Sequence, residues 1–320
     1  MVPADGPAIA IRDLAKSYGQ VPAVRGVTFD VQRGEIFGFL GLNGAGKTTT
    51  IRILLDLLRP SRGQAQLFGF DCQRQSRLAR ATVGYMPGEL GFYSDTTGLE
   101  VLDLMARLSG GVDDSARRLQ LADRLELARA DLRRPLRAYS TGMKRKLGLI
   151  QALMTEPRVL ILDEPTSGLD PLMIEAFSET LDELARSGRT TVFLSSHILS
   201  EVDRICQRIG LVRGGQLVAV RTLSELRAAA PRRMTVRFSA PVNGDLPMLP
   251  GATLVTREPM QWLLDVQGPL GEIIPRLGHL PVADVQLAAF TLDEAILRLL
   301  GHVHKDRHVQ KDVPDKAGTP

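Results

Sequence analysis

Three short runs of the chain are almost wholly apolar, and each one ends in glycine or polar residues. These runs are "EIFGFLG" (35–41), "RVLILDEP" (158–165) and "TTVFLSSH" (190–197). Such runs are typical of strands that are buried on both faces of a parallel sheet. Residues 8 to 40 also read as strands, with turns at "YGQ" and "RGE". The first part of the chain is therefore predicted to contain a largely parallel sheet.

Apolar residues with helical spacing fill much of the chain between these strands. "KTTTIRILLDLLRP" (47–60) predicts a helix that ends at Pro60, because proline cannot continue a helix. Further helices are predicted at several segments, namely "GLEVLDLMARLS" and "DSARRLQLADRLELA" within 75–155, then "MIEAFSETLDELARSG" and "ILSEVDRIC". "RIGLVRGGQLVAV" reads as a hairpin around Gly214 and Gly215. The alternation of strands and helices predicts an α/β fold.

The pattern changes near residue 222, where "RMTVRFSAPV" and "WLLDVQG" alternate as strands with one exposed face do. "GEIIPRLGHL" and "TLDEAILRLLG" predict short helices. We therefore expect a domain at 1–221 and a small α+β domain at 222–302, with Trp262 packed on its sheet. Residues 303–320 form a polar tail that is predicted to be disordered.

Length and composition narrow the class of protein. A chain of 320 residues with 44% hydrophobic content suggests about two globular domains. The net charge of +4 is small and the basic residues are spread out, so we expect no nucleic-acid partner. Two cysteines far apart indicate no disulfide framework. No run of about 18 apolar residues indicates a membrane span.

The segment "GLNGAGKT" (41–48) fits the pattern G-x-x-x-x-G-K-[ST] and lies between a predicted strand and a predicted helix. Glycines allow backbone N–H groups to turn toward a phosphate, and the following helix adds its positive end. The lysine can reach the β- and γ-phosphates, and the Thr48 hydroxyl can bind Mg²⁺. The residues predicted to bind ATP here are Gly41, Asn43, Gly44, Ala45, Gly46, Lys47, Thr48 and Thr49.

Acidic residues follow the second buried strand, at the edge of the sheet where ligands bind in open α/β folds. Asp163 is predicted to hold Mg²⁺, and Glu164 is predicted to activate or position the attacking water. His197 follows the third buried strand and is predicted to contact the γ-phosphate or orient the water.

A second helix start that suits an anion lies at "AYSTGMKRKLGL" (138–149), about a hundred residues after the phosphate loop. The order of phosphate loop, "YSTGM" (139–143), "LDEPTSGLD" and "SSH" resembles the nucleotide-binding subunit of an ABC transporter. The resemblance covers roughly residues 8–220. It implies an α/β P-loop NTPase core with a mixed, largely parallel sheet, an antiparallel β subdomain and a helical subdomain at about 88–155, followed by the small C-terminal domain.

In the family that this chain resembles, two subunits pair head to tail, and the signature segment of one, which is "YSTGM" (139–143) here, faces the phosphate loop of the other. The resemblance therefore implies a homodimer in which signature and D-loop residues serve the partner's ATP, namely Ser140, Thr141, Gly142, Met143 and Asp170. It also implies that Tyr18 stacks on adenine. "KRK" (144–146) is predicted to be a solvated helix face.

Two departures from the family pattern stand out. The usual "LSGGQ" is "YSTGM" here, and the glutamine expected near 88 is replaced by Gly88 and then Glu89. Glu89 is a candidate substitute for that glutamine. Both variants look like those of the ATPase subunits of ABC-2-type exporters, including the drug-resistance group.

The sequence thus predicts a Mg²⁺-dependent ATPase on the cytoplasmic face of the membrane, which powers export through a separate membrane permease. Two alternatives remain at this point. One is a soluble ABC ATPase without a transport role, and the other is a regulatory subunit that binds ATP but hydrolyses it weakly.

Overall fold

The computed structural model describes residues 6–109, 115–229, 232–242, 248–288 and residue 296. The chain divides into two compact units, Met1–Leu223 and Ser224–Pro320. Within the described part of the chain, no helix combines the length and the apolar character needed to cross a membrane.

The first unit contains both strands and helices, as the sequence predicts. The strands are β1 (Ile9–Tyr18), β2 (Val21–Val31), β3 (Ile36–Leu40), β4 (Arg62–Leu67), β5 (Phe70–Asp71), β6 (Val83–Met86), β7 (Val159–Asp163), β8 (Thr191–Ser196), β9 (Arg208–Arg213) and β10 (Gln216–Thr222). The helices are α1 (Lys47–Leu54), α2 (Ser76–Arg80), α3 (Gly98–Leu108), α4 (Ser115–Arg124), α5 (Thr141–Leu153), α6 (Pro171–Arg186) and α7 (Leu199–Ile205). Helix α8 (Leu223–Ala229) begins at the last residue of this unit.

The described strands of the first unit form two sheets. One has the order β10-β9-β3-β8-β7-β6, with every neighbouring pair parallel except β10 and β9. The other is antiparallel, with the order β2-β1-β4-β5. Because β3, β8 and β7 are parallel neighbours, their carboxyl ends lie side by side.

Stacked aromatic rings fill the core between β2, β3 and β8. Phe29 lies 5.3 Å from Phe37, 5.4 Å from Phe39 and 6.2 Å from Phe193, measured between ring centroids. All four side chains are at most 5% exposed. Burial of rings of this size is a large stabilising contribution. It holds together β3, which leads into the phosphate loop, and β8, which leads into His197.

Two helix ends show how local sequence sets the boundaries. Thr97 and Glu100 form a reciprocal capping box at the start of α3. Helix α1, in contrast, ends at Leu54 and does not reach Pro60, so the predicted length was wrong. Asp56 adopts a left-handed backbone conformation (φ 54°), which stops the helix before the proline.

The described part of the second unit contains most of α8, an antiparallel sheet and a further helix. The strands β11 (Arg232–Phe238), β12 (Ala252–Glu258), β13 (Gln261–Val266) and β14 (Val282–Ala288) have the order β12-β13-β11-β14, and α9 spans Leu270–Leu277.

Trp262 of β13 is fully buried and packs edge-on against Phe238 at 4.8 Å, which confirms its predicted place on the sheet. The helix predicted at "TLDEAILRLLG" lies outside the described residues, apart from the helical residue 296, and so does the tail 303–320.

Candidate active site

The residues that follow β3, β7 and β8 meet at one edge of the parallel sheet. The backbone N–H of Gly41, just after β3, donates to the Ser196 carbonyl at 3.3 Å. The N–H of Glu164, just after β7, donates to the Ser195 carbonyl at 3.1 Å. The strand register therefore brings the phosphate loop, the acidic pair and the segment before His197 together.

The phosphate loop needs glycine at two turns. Gly44 and Gly46 have φ values of 77° and 101°, which only glycine adopts at little cost. A Cβ atom at Gly46 would also lie 2.6 Å from the Ala23 carbonyl oxygen. Gly46 is the N-cap of α1, so the loop delivers Lys47 and Thr48 to the first turn of the helix.

Lys47 is buried, and its ammonium group has oxygen neighbours on two sides. Its Nζ donates to the carbonyl oxygens of Gly41 at 2.7 Å and Leu42 at 3.3 Å. Its third close neighbour is Glu164 Oε1, also at 3.3 Å. An ammonium group held between loop carbonyls and a carboxylate is well placed to meet a terminal phosphate.

The oxygen atoms of Thr48 and Asp163 form a donor set that fits Mg²⁺. The Thr48 hydroxyl lies 3.4 Å from Asp163 Oδ1, and Asp163 is 3% exposed. The Ser195 hydroxyl donates to the same Oδ1 at 2.5 Å, which orients the carboxylate. Mg²⁺ prefers one or two such protein oxygens and completes its shell with phosphate oxygens and water.

Glu164 adopts a left-handed backbone conformation (φ 50°) that is unusual for a residue other than glycine. Such backbone costs about 1–3 kcal/mol and persists only where its surroundings hold it. Its N–H group donates to both the carbonyl and the hydroxyl oxygen of Ser195, each at 3.1 Å. The strained backbone aims the carboxylate at Lys47 and His197.

His197 Nδ1 lies 2.9 Å from Glu164 Oε2. With Nδ1 donating to the carboxylate, a neutral ring presents Nε2 as an acceptor. Donation from Nε2 to a phosphate therefore requires the doubly protonated ring.

The segment 140–143 forms the N-terminus of α5. Ser140 is the N-cap, and its hydroxyl oxygen accepts the N–H of Met143 at 3.2 Å. A serine hydroxyl that accepts in this way still has its proton to donate. Ser140 and Thr141 are exposed, and Gly142 and Met143 are partly exposed.

The predicted D-loop, residues 167–170, lies beside this helix start within the chain. A Cβ atom at Gly168 would lie 3.4 Å from Thr141 Cγ2. Asp170 is the N-cap of α6 and accepts the N–H of Met173 at 2.9 Å. The Asp170 side chain therefore has a structural task within its own helix.

Comparison with known proteins gives one consistent family. The family described as ABC transporter matches residues 24–167. The bacitracin transport ATP-binding protein BcrA of Enterococcus faecalis is 39% identical over 218 residues, which cover 68% of this chain and 70% of that protein. The chain belongs to the ABC transporter ATP-binding proteins.

Two further matches extend this result. The daunorubicin resistance ATP-binding protein DrrA3 of Streptomyces coeruleorubidus is 35% identical and covers 95% of this chain and 98% of its own length. A solved ATP-binding subunit of an ABC transporter is 32% identical, with a TM-score of 0.63, and covers 69% of this chain and 92% of its own. The predicted ABC ATPase fold is thereby confirmed.

Three residues that are predicted to bind ATP take no part in the side-chain contacts described above. Tyr18 is 48% exposed at the end of β1, with Lys16 Nζ 5.6 Å from its ring centroid. Asn43 is exposed in the phosphate loop, and Thr49 is partly exposed in the first turn of α1. Their predicted contacts with ATP stay predictions.

The segment that lacks the ABC glutamine lies against Asp163. A Cβ atom at Gly88 would lie 3.4 Å from the Asp163 carbonyl oxygen and 3.7 Å from its Oδ2. Glu89 is exposed and makes no hydrogen bond or ion pair with any described residue. Position 88 therefore lies beside Asp163, while the predicted role of Glu89 as a substitute for the glutamine stays a prediction.

Sequence reasoning missed two residues of the site. Ser195 is fully buried and contacts both Asp163 and Glu164. Arg145 is 9% exposed, so the prediction of a solvated face at 144–146 was wrong for this residue. Its Nη1 donates to the Glu164 carbonyl oxygen at 3.2 Å. Burial lowers the pKa of the Arg145 guanidinium, and the Glu164 and Asp163 charges oppose that shift.

Proposed function

We propose that this chain is the Mg²⁺-dependent ATPase subunit of an ABC exporter. The observation that carries the proposal is the position of Glu164, whose carboxylate lies 3.3 Å from Lys47 Nζ and 2.9 Å from His197 Nδ1. A carboxylate between a phosphate-binding lysine and a histidine suits a group that positions or deprotonates an attacking water.

In this proposal the triphosphate of ATP lies in the loop 41–48, where Lys47 binds its terminal phosphates. Thr48 and Asp163 would hold Mg²⁺, which supplies charge neutralisation on the phosphates when bound. Glu164 accepts the proton of the attacking water or holds that water in line. His197 steadies the Glu164 carboxylate through Nδ1, and its Nε2 is available to the γ-phosphate side.

We further propose that two subunits pair so that the N-terminus of α5 in one contacts the ATP held by the other. The exposed Ser140 hydroxyl and the first turn of a 13-residue helix support this, because a helix N-terminus favours anions. ATP would then be part of the interface, so its binding stabilises the dimer and its hydrolysis releases it.

The names of the relatives support an export role, for which we propose a separate membrane permease as the partner. They include a bacitracin transport protein, a daunorubicin resistance protein and a Nod factor export protein. The match to the daunorubicin resistance protein spans nearly the whole chain and includes the second unit. We propose that the subunit works on the cytoplasmic face of the membrane, against such a permease.

A second candidate is a regulatory subunit that binds ATP and hydrolyses it weakly. The observation that favours it is Gly88, which places no side chain beside Asp163 where the family has a glutamine. The two candidates differ in the turnover of the wild-type chain.

The test is the substitution Glu164→Gln, measured by ATP hydrolysis and by titration with a fluorescent ATP analogue. We expect turnover to fall by about 10²-fold or more, because the amide cannot accept the proton, while nucleotide affinity is retained. Glu179→Gln is the matched control, since Glu179 is exposed on α6.

Normal hydrolysis by the Glu164→Gln chain would contradict the catalytic assignment. Very weak hydrolysis by the wild-type chain, with intact binding, would favour the regulatory subunit instead. Co-expression with a multi-span membrane protein encoded beside this gene tests the transport role, because a true permease partner should stimulate ATP hydrolysis.

A further inference from the structure

Helix α5 carries two groups that face different sites. At its N-terminus, Ser140 and Thr141 are exposed. Five residues further on, Arg145 is buried and its guanidinium contacts the backbone of Glu164. The two points are separated by only about 7.5 Å along the helix axis. A shift of the helix as a rigid element therefore moves both.

The Arg145 contact acts on the most constrained backbone of the site. The N–H group of Glu164 is held by Ser195, and its carbonyl oxygen is held by Arg145. The left-handed conformation of Glu164 lies between these two contacts. Loss of either contact leaves the strained backbone free to relax, and the carboxylate would then turn away from Lys47 and His197.

The charge of Arg145 also suits this place. Arg145 as a whole residue is only 9% exposed, so its guanidinium group needs acceptors around it. The Glu164 and Asp163 carboxylates are the negative charges that stabilise its charged form. Because an arginine guanidinium is not deprotonated in proteins, Arg145 places a positive charge beside the acidic pair.

We propose that Arg145 is a positioning residue for Glu164, through which the helix that meets the partner's ATP also sets the catalytic carboxylate of its own subunit. This inference rests on the proposed function, since it assumes that Glu164 is catalytic and that α5 meets ATP across a dimer. It assigns to α5 a link between the two ATP sites of the dimer, which runs from one ATP through the helix to the Glu164 of the other site.

The experiment separates an effect on the subunit's own Glu164 from an effect on the partner's ATP. An active chain is mixed with an excess of the Glu164→Gln chain, so that nearly all turnover comes from mixed dimers with one working carboxylate. Arg145→Met is then placed either in the active chain or in the Glu164→Gln chain. Lys146→Met is the matched control, because Lys146 is the next residue of α5 and donates to the Glu126 carbonyl at 3.1 Å.

We expect Arg145→Met in the active chain to lower kcat by about tenfold or more with KM for ATP nearly unchanged, because misplacing a reacting group costs rate rather than binding. The same substitution in the Glu164→Gln chain should leave kcat close to that of the Lys146→Met control. Arg145→Lys should recover part of the rate, since an ammonium group can still donate to the Glu164 carbonyl.

An equal loss in both placements would overturn the inference, because it would mean that the substitution distorts the helix start that meets the partner's ATP. A rate equal to that of the Lys146→Met control would overturn it as well. Failure of the proposed function would give a different result. The wild-type chain would then not hydrolyse ATP, or the Glu164→Gln chain would hydrolyse it normally. Thermal unfolding of the Arg145→Lys chain verifies that the fold is retained.

Discussion

At the scale of single residues, the site depends on a few buried polar groups that share acceptors. Asp163 Oδ1 accepts from the Ser195 hydroxyl and lies within reach of Thr48, and the Ser195 hydroxyl also accepts from Glu164 N–H. A small change in one of these groups therefore alters the setting of the others.

Gly88 offers a direct test of the missing glutamine. The space beside it accommodates a side chain, because the nearest atom to a Cβ there is 3.4 Å away, an ordinary contact. We expect Gly88→Gln to fold normally and to lower the Mg²⁺ concentration for half-maximal hydrolysis several-fold, since its amide oxygen can reach the shell around Asp163. A magnesium titration of the ATPase rate measures this.

Glu89→Gln is the matched variant for that experiment, because the residue is adjacent and exposed. A larger effect of Glu89→Gln than of Gly88→Gln would show that Glu89 does substitute for the missing glutamine.

The positions of some site residues were predictable from the sequence, and those of others were not. Lys47, Asp163, Glu164 and His197 follow short, recognisable segments, and the structure brings these four together. Ser195 and Arg145 are common residue types, and their roles arise from tertiary neighbours 31 and 19 residues away from Glu164. Sequence patterning carries no signal for such contacts.

At the scale of elements, helix α5 packs very closely on the edge strand β6. A Cβ atom at Gly84 of β6 would lie 2.0 Å from the Ala152 carbonyl oxygen and 2.7 Å from Pro157 Cγ. The absence of a side chain at Gly84 thus sets how near the helix of the ABC signature comes to the sheet.

Gly84→Ala should lower the free energy of unfolding by about 1–3 kcal/mol, because the added methyl group must push the α5 backbone away from the strand. Urea unfolding followed by circular dichroism measures the loss. Gly91→Ala is the control, since nothing lies within 4 Å of a Cβ there. Equal stability of the two variants would contradict this account of the packing.

The element pattern was mostly predictable, and the exceptions have physical causes. Buried strands such as β7 and β8 are apolar throughout, so composition reveals them. Strands β12 and β14 were not predicted because they are edge strands whose side chains are mostly exposed, which weakens the alternation. The end of α1 depends on the backbone of Asp56, which no apolar pattern records.

At the scale of the whole molecule, all the predicted ABC site residues lie in the first unit, Met1–Leu223. The second unit has its own apolar core, which includes Trp262, Phe238 and Leu264. The ATP chemistry should therefore be a property of the first unit, while the sequence gives no motif for the second.

The dimer is testable on the full chain. We expect the 35.0 kDa Glu164→Gln chain to be a monomer without nucleotide and a dimer with Mg-ATP, because ATP that is bound but not hydrolysed stabilises the interface. Size-exclusion chromatography with light scattering measures the mass. Adding Ser140→Arg should abolish the dimer, since the long side chain fills the place of the partner's phosphate. A monomer under all conditions would contradict assembly without the permease.

The position of β3 in the sheet has a consequence for how the chain is made. The phosphate loop follows strand β3, whose neighbours in the sheet are β8 and β9. The N–H group of Gly34, which precedes β3, donates to the hydroxyl oxygen of Thr191, 157 residues later in the chain. At ribosomal speeds those residues take roughly 8–30 s to synthesise, and "IFGFL" has no sheet partner in that time. Such an apolar segment is a natural target for a chaperone on the nascent chain, and a stable nucleotide pocket can form only after β9 has left the ribosome.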